Sequence, residues 1–251
     1  MRISGTVAIT GHFERQKVRR LAQKAGRILH NLGVDCLVAD IKKKNFNRRG
    51  IGLVIAVGGD GTMLHVAREL KKPTPVVGIA AGKRSALMAI KPEKVGRALE
   101  KIAAGKFTVQ ERVRLQAITD GKRLPLALNE VMLVNKKSGA MVNYCVRVKG
   151  KRLYCGKADG CIIATPTGST GHAYSAGGKK LPAGGKKIAI VPSNPYCREA
   201  KPVYAGGGCT IALDGFGKQQ EHEVVLDGQP RFTVRKRLAA KKGESAFFVK
   251  F

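Results

Sequence analysis

One short stretch of the sequence, Gly58–Thr62, reads GGDGT and combines three glycines with an acidic residue. Glycine has no Cβ, so the backbone can turn tightly there and a ligand can approach it closely. If a helix begins at this turn, its free amides and the positive end of its dipole favour a phosphate group. Asp60 would repel that phosphate unless it binds Mg²⁺ or accepts a proton from an attacking hydroxyl. The stretch indicates phosphoryl transfer, and the simpler alternative is a glycine-rich turn with an aspartate cap.

A second stretch is rich in small and hydroxyl-bearing residues. It runs from Asp159-Gly160 through Thr165–Gly171, which reads TPTGSTG, to Ser175–Gly178. Residues of these types bring backbone and hydroxyl groups against a polar ligand without steric hindrance. The alternative is an ordinary loop between strands.

An amide and a carboxylate, Asn129 and Glu130, precede the apolar run Val131–Val134. Adjacent strand residues point to opposite faces, so both can reach one ligand only at a strand end or a bend. An asparagine can bind an adenine edge or hydroxyls, and a glutamate can accept hydrogen bonds from ribose hydroxyls. The pair alone is a weak indication of a nucleotide site.

Together, in this order, these stretches resemble the motifs of the NAD kinase family, which phosphorylates the 2′-hydroxyl of the adenosine ribose of NAD to give NADP. The resemblance spans residues 51–229. The TPTGST motif is matched in full at Thr165–Thr170, and Asp227–Gln229 matches a late DGQ motif. GGDGT alone also occurs in diacylglycerol-type lipid kinases. A related kinase of another hydroxyl substrate, a lipid or a polyol, is therefore the alternative.

The resemblance implies a role for each matching residue. Asp60 would orient or deprotonate the ribose 2′-hydroxyl, and Asp159 would contact NAD from a neighbouring subunit, in a homodimer or homotetramer. Mg²⁺ would bridge the phosphates of the donor, either ATP or polyphosphate. The expected phosphate-binding residues are Gly58, Gly59, Gly61 and Thr62, and the expected NAD-binding residues are Asn129, Glu130, Asp159, Thr170, Gly171 and His172.

The sequence departs from the family pattern at two places. Gly171-His172 follows TPTGST where the family usually has Ala-Tyr, so an imidazole replaces a larger aromatic surface. Ala80 replaces an asparagine, and Ser85-Ala86 replaces a Gly-Phe pair. In the same segment, Lys83 and Arg84 can add phosphate contacts or form a solvated loop. These changes concern affinity and the choice between NAD and NADH, and they leave the residues of the transfer site in place.

The elements that must position these residues alternate between strand and helix patterns over roughly the first 105 residues. Short β-branched runs such as Thr6–Thr10 and Ile51–Val57 are typical of strands, and the second has so little polar interruption that both faces should be covered. Apolar residues at steps of three and four from Val18 to Leu32 predict a helix that Gly33 ends. The alternation predicts a parallel sheet with flanking helices.

Beyond residue 108 the pattern changes to successive strands, with a turn at Asp120-Gly121 and no helix of convincing length. The sequence therefore predicts an α/β N-terminal domain over residues 1–108. An all-β, sandwich-like domain is expected over residues 109–251, and its extreme C-terminus can pack back on the first domain.

Composition limits the class of protein. Of 251 residues, 43% are hydrophobic, which excludes general disorder. No run of about 18 apolar residues is present, so no membrane span is expected. The first residues also lack the apolar core of a signal peptide. These features predict a cytoplasmic protein.

The net charge of +30, from 47 Lys and Arg against 17 Asp and Glu, has two interpretations. One is binding to nucleic acid, and the other is a basic surface without a dedicated partner. The basic residues recur as short groups along the whole chain, which favours the surface interpretation. Aromatic residues make up only 5%, so base-stacking platforms are scarce and nucleic acid is an unlikely partner.

Six cysteines are present, and none forms a C-x-x-C pair, so a zinc or redox motif has no local support. Most lie beside apolar residues. Reduced thiols acting as small core residues are therefore expected.

Overall fold

The protein is described by a computed structural model that covers residues 4–82, 85–197, 199–217 and 221–251. The chain divides into two compact units. One comprises the chain up to Glu111 together with Ala246–Phe251, and the other comprises Arg112–Ser245. None of the helices within the described ranges is long and apolar enough to span a membrane.

The first unit alternates strands and helices, as the sequence pattern predicts. Apart from the last strand of the chain, its main elements are β1 (Thr6–Gly11), α1 (Gln16–Asn31), β2 (Cys36–Asp40), β3 (Ile51–Gly58), α2 (Asp60–Glu69), β4 (Val76–Ala80), α3 (Val95–Ala103) and β5 (Thr108–Arg112).

The second unit consists mainly of strands. Its elements are β6 (Leu115–Thr119), β7 (Lys122–Ala127), β8 (Glu130–Asn135), β9 (Val142–Val148), β10 (Lys151–Ala164), α4 (His172–Ser175), β11 (Lys187–Pro195), β12 (Val203–Gly206), β13 (Ile211–Asp214), β14 (His222–Leu226), β15 (Arg231–Val234) and β16 (Leu238–Lys242). The last strand, β17 (Ala246–Lys250), returns to the sheet of the first unit.

The first sheet has the strand order β2-β1-β3-β4-β17-β5, and its pairs β1–β2, β1–β3, β3–β4 and β4–β17 are parallel. In the central strand β3, Leu53 and Ile55 pack into a core with residues of α1 and α3. Val54 and Ala56 alternate with them and are also 0% exposed, so both faces are covered. The expected parallel α/β domain is confirmed.

The second sheet is antiparallel and divides at the long strand β10. Along one edge, Lys151–Ala158 pairs with β9, whereas Gly160–Ala164 pairs with β8. The branch through β9 continues to β13, β16, β6 and β7, and the branch through β8 continues to β14 and β15. Residues of both branches share one apolar core. The expected all-β, sandwich-like domain is confirmed.

The expectation that all cysteines are reduced thiols is wrong for one pair. Cys145 of β9 and Cys155 of β10 lie directly opposite each other and form a disulfide. The register of two antiparallel strands brings the pair together, and a spacing of ten residues in the sequence does not reveal that register. Of the remaining thiols, those of Cys161 and Cys209 are buried, but Cys197 is exposed and is not a core residue.

Candidate functional site

The first cluster of predicted site residues lies where β3 passes into α2. Asp60 is the first residue of α2, and its partly exposed carboxylate is held by the segment that follows β4. The Ser85 hydroxyl and the Leu87 amide (2.9 Å) donate to Oδ1, and the Ala86 amide donates to Oδ2 at 3.0 Å. These donors fix the position of the carboxylate and stabilise its charge.

The surroundings of Gly58 and Gly59 in this turn differ. A Cβ on Gly58 would lie 2.3 Å from the Thr62 hydroxyl, so the fold itself requires glycine there. A Cβ on Gly59 would meet no atom within 4 Å, so the space beside Gly59 is open. Gly59 therefore leaves room for a ligand against the start of the helix.

A cleft of about 300 Å³ adjoins this turn in the first unit. Ser85, the partner of Asp60, lines it, and its charged lining residues are Lys17, Lys91 and Glu93. Among the described lining residues, two lysines against one glutamate give a net positive charge, which suits an anion.

The second cluster is centred on Asp227, in the turn between β14 and β15. Its buried carboxylate accepts the backbone amides of Leu128 (3.1 Å), Asn129 (2.7 Å) and Glu130 (3.3 Å). The Asp227 amide in turn donates to the Glu130 carbonyl at 3.0 Å. Asp227 thereby determines the backbone path of the Asn-Glu pair, almost one hundred residues earlier in the chain.

The Glu130 side chain is only 8% exposed. Burial, together with the charge of Asp227, raises the pKa of its carboxyl from 4.5 to about 7. The amide of Glu130 itself and those of the two preceding residues donate to Asp227. Glu130 therefore lies close to the point of ionisation at neutral pH.

The TPTGST turn packs on the same backbone. The Thr165 amide donates to the Asn129 carbonyl (2.8 Å), and its hydroxyl donates to the Leu128 carbonyl (2.6 Å). A Cβ on Gly168 would lie 2.2 Å from the Asn129 carbonyl oxygen, so this close approach requires glycine. The motif residues Thr165 and Gly168 are thus structural residues that hold the turn against the Asn-Glu pair.

The far end of the same turn faces outward. Thr170, Gly171 and His172 are consecutive and exposed, at the start of α4. Thr167 is buried, and its hydroxyl has no hydrogen-bond partner among the residues that the structure describes. The exposed residues at this end are accessible to a ligand.

Comparisons with known proteins agree with these motifs. Residues 8–107 match the model of the ATP-NAD kinase N-terminal domain, and residues 128–246 match that of the ATP-NAD kinase C-terminal domain. The NAD kinase of Bacteroides fragilis is 35% identical over 195 residues, 73% of this chain and 67% of that protein. The chain belongs to the NAD kinase family. Another NAD kinase, from Methanosarcina acetivorans, is 32% identical over 203 residues, 81% of this chain and 74% of that protein.

Solved structures of this family have the same fold. The NAD kinase of Archaeoglobus fulgidus, crystallised in complex with ATP, matches with a TM-score of 0.84 and 28% identity, over 98% of this chain and 93% of that one. The yeast NADH kinase, complexed with NADH, matches with a TM-score of 0.85 at 20% identity, over 100% of this chain and 84% of that one. As a member of the NAD kinase family, the chain is a phosphotransferase that acts on a hydroxyl group.

Of the predicted NAD-binding residues, the structure brings the Asn-Glu pair and the TPTGST turn together and places Asp159 apart from them. Asn129 and Glu130 adjoin the TPTGST turn, whereas Asp159 lies elsewhere on β10. Glu130 pairs with Ala164, and Asp159 is five residues earlier along that strand, roughly 17 Å away. The exposed Asp159 carboxylate accepts a hydrogen bond from Asn194 at 3.0 Å.

Two residues of these clusters have no assigned role in the sequence-based prediction. Ser85 replaces a family glycine, and its contact with Asp60 joins residues 25 positions apart. Asp227 belongs to the recognised DGQ motif and follows a strand, but neither signal indicates that it holds the Asn-Glu pair. The predicted phosphate contacts of Lys83 and Arg84 lie outside the described residues.

Proposed function

We propose that this member of the NAD kinase family transfers the terminal phosphate of ATP or polyphosphate to the 2′-hydroxyl of the adenosine ribose of NAD, giving NADP. The observation that carries the proposal is the Asp60 carboxylate, fixed at the first turn of α2 beside the open space at Gly59. Phosphoryl transfer depends on positioning and charge neutralisation more than on covalent chemistry. This turn supplies a fixed carboxylate for positioning and a helix N-terminus that favours negative charge.

Asp60 is proposed to accept the hydrogen bond, and then the proton, of the substrate hydroxyl. Its Oδ1 already accepts from Ser85 and Leu87, whereas Oδ2 accepts only from Ala86 among the residues that the structure describes. Since each carboxylate oxygen has two lone-pair sites, Oδ2 is the atom with capacity for the hydroxyl. The positive lining of the adjoining cleft, from Lys17 and Lys91, suits the anionic tail of the donor.

Magnesium fits this arrangement as a companion of the donor. No group of three or more His, Cys, Asp or Glu side chains within the described ranges is arranged to hold an ion. Mg²⁺ is usually held by substrate phosphates, waters and one or two carboxylates, and Asp60 is the carboxylate at this turn. Bound there, the ion would supply neutralisation of the donor's charge.

The second unit is proposed to bind the dinucleotide. Asn129 and Glu130 would contact its adenine and ribose groups, and the exposed residues Thr170, Gly171 and His172 would line its binding surface. The distance of Asp159 from the Asn-Glu pair within one chain supports a contact supplied by a neighbouring subunit, in a cytoplasmic homodimer or homotetramer. The solved relatives that bind ATP and NADH support both ligand classes.

The test is NADP production by the purified full-length chain, followed with an NADP-specific dehydrogenase. ATP, GTP and polyphosphate are supplied in turn with NAD or NADH, each with and without Mg²⁺, and diacylglycerol and glycerol replace the dinucleotide in parallel reactions. Formation of NADP that depends on a donor and on Mg²⁺ is expected. Phosphorylation of the lipid or the polyol without NADP formation would contradict the proposal and favour the alternative kinase.

A further inference from the structure

Helix α1 has a higher proportion of basic residues than the chain as a whole. Helix α1 carries five basic residues and no acidic residue. Its apolar side, formed by residues such as Val18, Ala22 and Leu29, is buried against the sheet. The other side is exposed to solvent, and all five basic residues, Lys17, Arg19, Arg20, Lys24 and Arg27, are exposed.

Three of these cations form a straight row. Arg20, Lys24 and Arg27 are spaced four and three residues apart, so they lie on one face of α1, opposite its buried side. At a rise of 1.5 Å per residue the row spans about 10 Å. Gln23 lies beside the row and adds a neutral hydrogen-bonding group. We define Arg20, Lys24 and Arg27 as the α1 basic row.

The fold gains nothing from the charge of the α1 basic row. Like charges three or four residues apart destabilise a helix by about 0.2–0.5 kcal/mol per pair. None of the three cations forms an ion pair with an acidic residue in the described part of the chain, although cations elsewhere do, such as Lys44 with Glu69 and Arg231 with Glu223. The row therefore presents unneutralised positive charge to an external anion.

We infer that the α1 basic row binds the phosphate backbone of double-stranded nucleic acid, a function separate from the kinase activity. A row of cations on a rigid helix suits the regular phosphates of a duplex, and each contact releases counterions. Base stacking is not needed, so the scarcity of aromatic residues, none of which lies on α1, disfavours single strands but not a duplex. Insertion into a membrane is disfavoured, because the apolar side of α1 is already buried.

The test compares two triple variants with equal charge. R20Q/K24Q/R27Q removes the α1 basic row, and K149Q/K151Q/R152Q removes three exposed cations from the β9–β10 hairpin, one in its turn and two at the start of β10. Both have a net charge of +27, from the +30 of the full chain minus 3. Binding to a fluorescent 20-base-pair DNA duplex, a 20-base-pair RNA duplex and phosphatidylserine-containing vesicles is measured between 50 and 300 mM KCl. Thermal unfolding confirms that each variant is folded.

The wild type and the β9–β10 variant should bind both duplexes with similar affinity. The α1 variant should bind more than about tenfold more weakly, and its slope of log affinity against log salt should fall by about 3, close to one per lost phosphate contact. Equal weakening in both variants would show a net-charge effect and overturn the inference. Absence of duplex binding by the wild type would also overturn it, as would α1-dependent binding to vesicles alone.

Discussion

Asp60 in the first unit and Glu130 in the second are both carboxylates at the junction of a strand and a turn, yet their surroundings differ. Asp60 is partly exposed and accepts three hydrogen bonds, from Ser85, Ala86 and Leu87. Glu130 is buried, and three neighbouring amides donate to Asp227 instead. The pKa of Glu130 is raised to about 7 by burial and by the charge of Asp227.

The comparison shows that donors and burial give two carboxylates different chemistry. A fixed anion with a free lone pair suits a proton acceptor, which is the proposed role of Asp60. A carboxyl group near its point of ionisation can donate or accept a hydrogen bond, so the proposed contact of Glu130 with a nucleotide should depend on pH. The predictions below test this difference, beginning with the largest expected effect.

Replacement of the proposed base should have the largest effect. Asp60→Asn should lower the rate of NADP formation by about 10²–10⁴-fold, because the amide cannot accept the proton. The matched control is Asp120→Asn, since Asp120 also accepts three hydrogen bonds, in its case from the backbone amides of Arg235, Lys236 and Arg237. The control should keep its turnover. Near-wild-type activity of a folded Asp60→Asn enzyme would rule out the role of Asp60.

The stability of the protein should depend on the protonation of Glu130. The pKa of this group rises from an ordinary value of 4.5 to about 7 on folding, so its contribution is fully favourable below pH 4.5 and is lost as the pH rises towards 7. Glu130→Gln stays neutral throughout. Its free energy of unfolding should match the wild type at pH 4.5 and exceed it by up to about 3 kcal/mol above pH 7.

Urea denaturation of both proteins across pH 4.5–8 measures this difference. A constant difference between the two curves over the whole range would contradict the raised pKa of Glu130.

Asp227 should matter for stability more than an exposed carboxylate does. Asp227→Asn weakens three charge-assisted hydrogen bonds to the backbone of residues 128–130 and should cost about 2 kcal/mol of unfolding free energy. Asp214→Asn serves as the control, because its ion pair with Arg147 is partly exposed and should contribute less than about 1 kcal/mol. Equal losses in the two variants would contradict the positioning role of Asp227.

The smallest effect is expected at Ser85. Ser85→Ala removes one of the three donors to Asp60 and should lower the rate of NADP formation by roughly fivefold, which corresponds to about 1 kcal/mol. Ser138→Ala is the control, since this exposed serine lies in the turn between β8 and β9, outside the predicted site motifs. A Ser85→Ala rate equal to that of the control would show that the amides of Ala86 and Leu87 suffice to hold Asp60.

Local patterns account for much of what the sequence predicts. The apolar steps from Val18 to Leu32 give α1 over Gln16–Asn31, and the apolar run at Ile51–Val57 gives β3 over Ile51–Gly58. These predictions succeed because periodicity and glycine positions act over a few residues. The motifs are also contiguous, so GGDGT and TPTGST indicate the family without knowledge of the fold.

Contacts between distant residues explain what the sequence does not predict. The disulfide of Cys145 with Cys155 depends on a strand register, and the bond from Ser85 to Asp60 depends on how a loop returns to a helix. The raised pKa of Glu130 likewise depends on its burial in the folded chain. A single sequence contains no local signal for such pairings, because they follow from the packing of whole elements.

The sequence by itself determined the family motifs, the alternation of elements and the large positive charge of this protein. Only the tertiary structure decided that Asp227 holds the Asn129-Glu130 pair, that Glu130 is buried, and that the cations of α1 lie on one free face. The physical reason is that motifs and element patterns depend on residues close in the sequence, and the net charge is a sum over all residues. Solvent exposure and hydrogen-bond partners depend on the path of the whole chain.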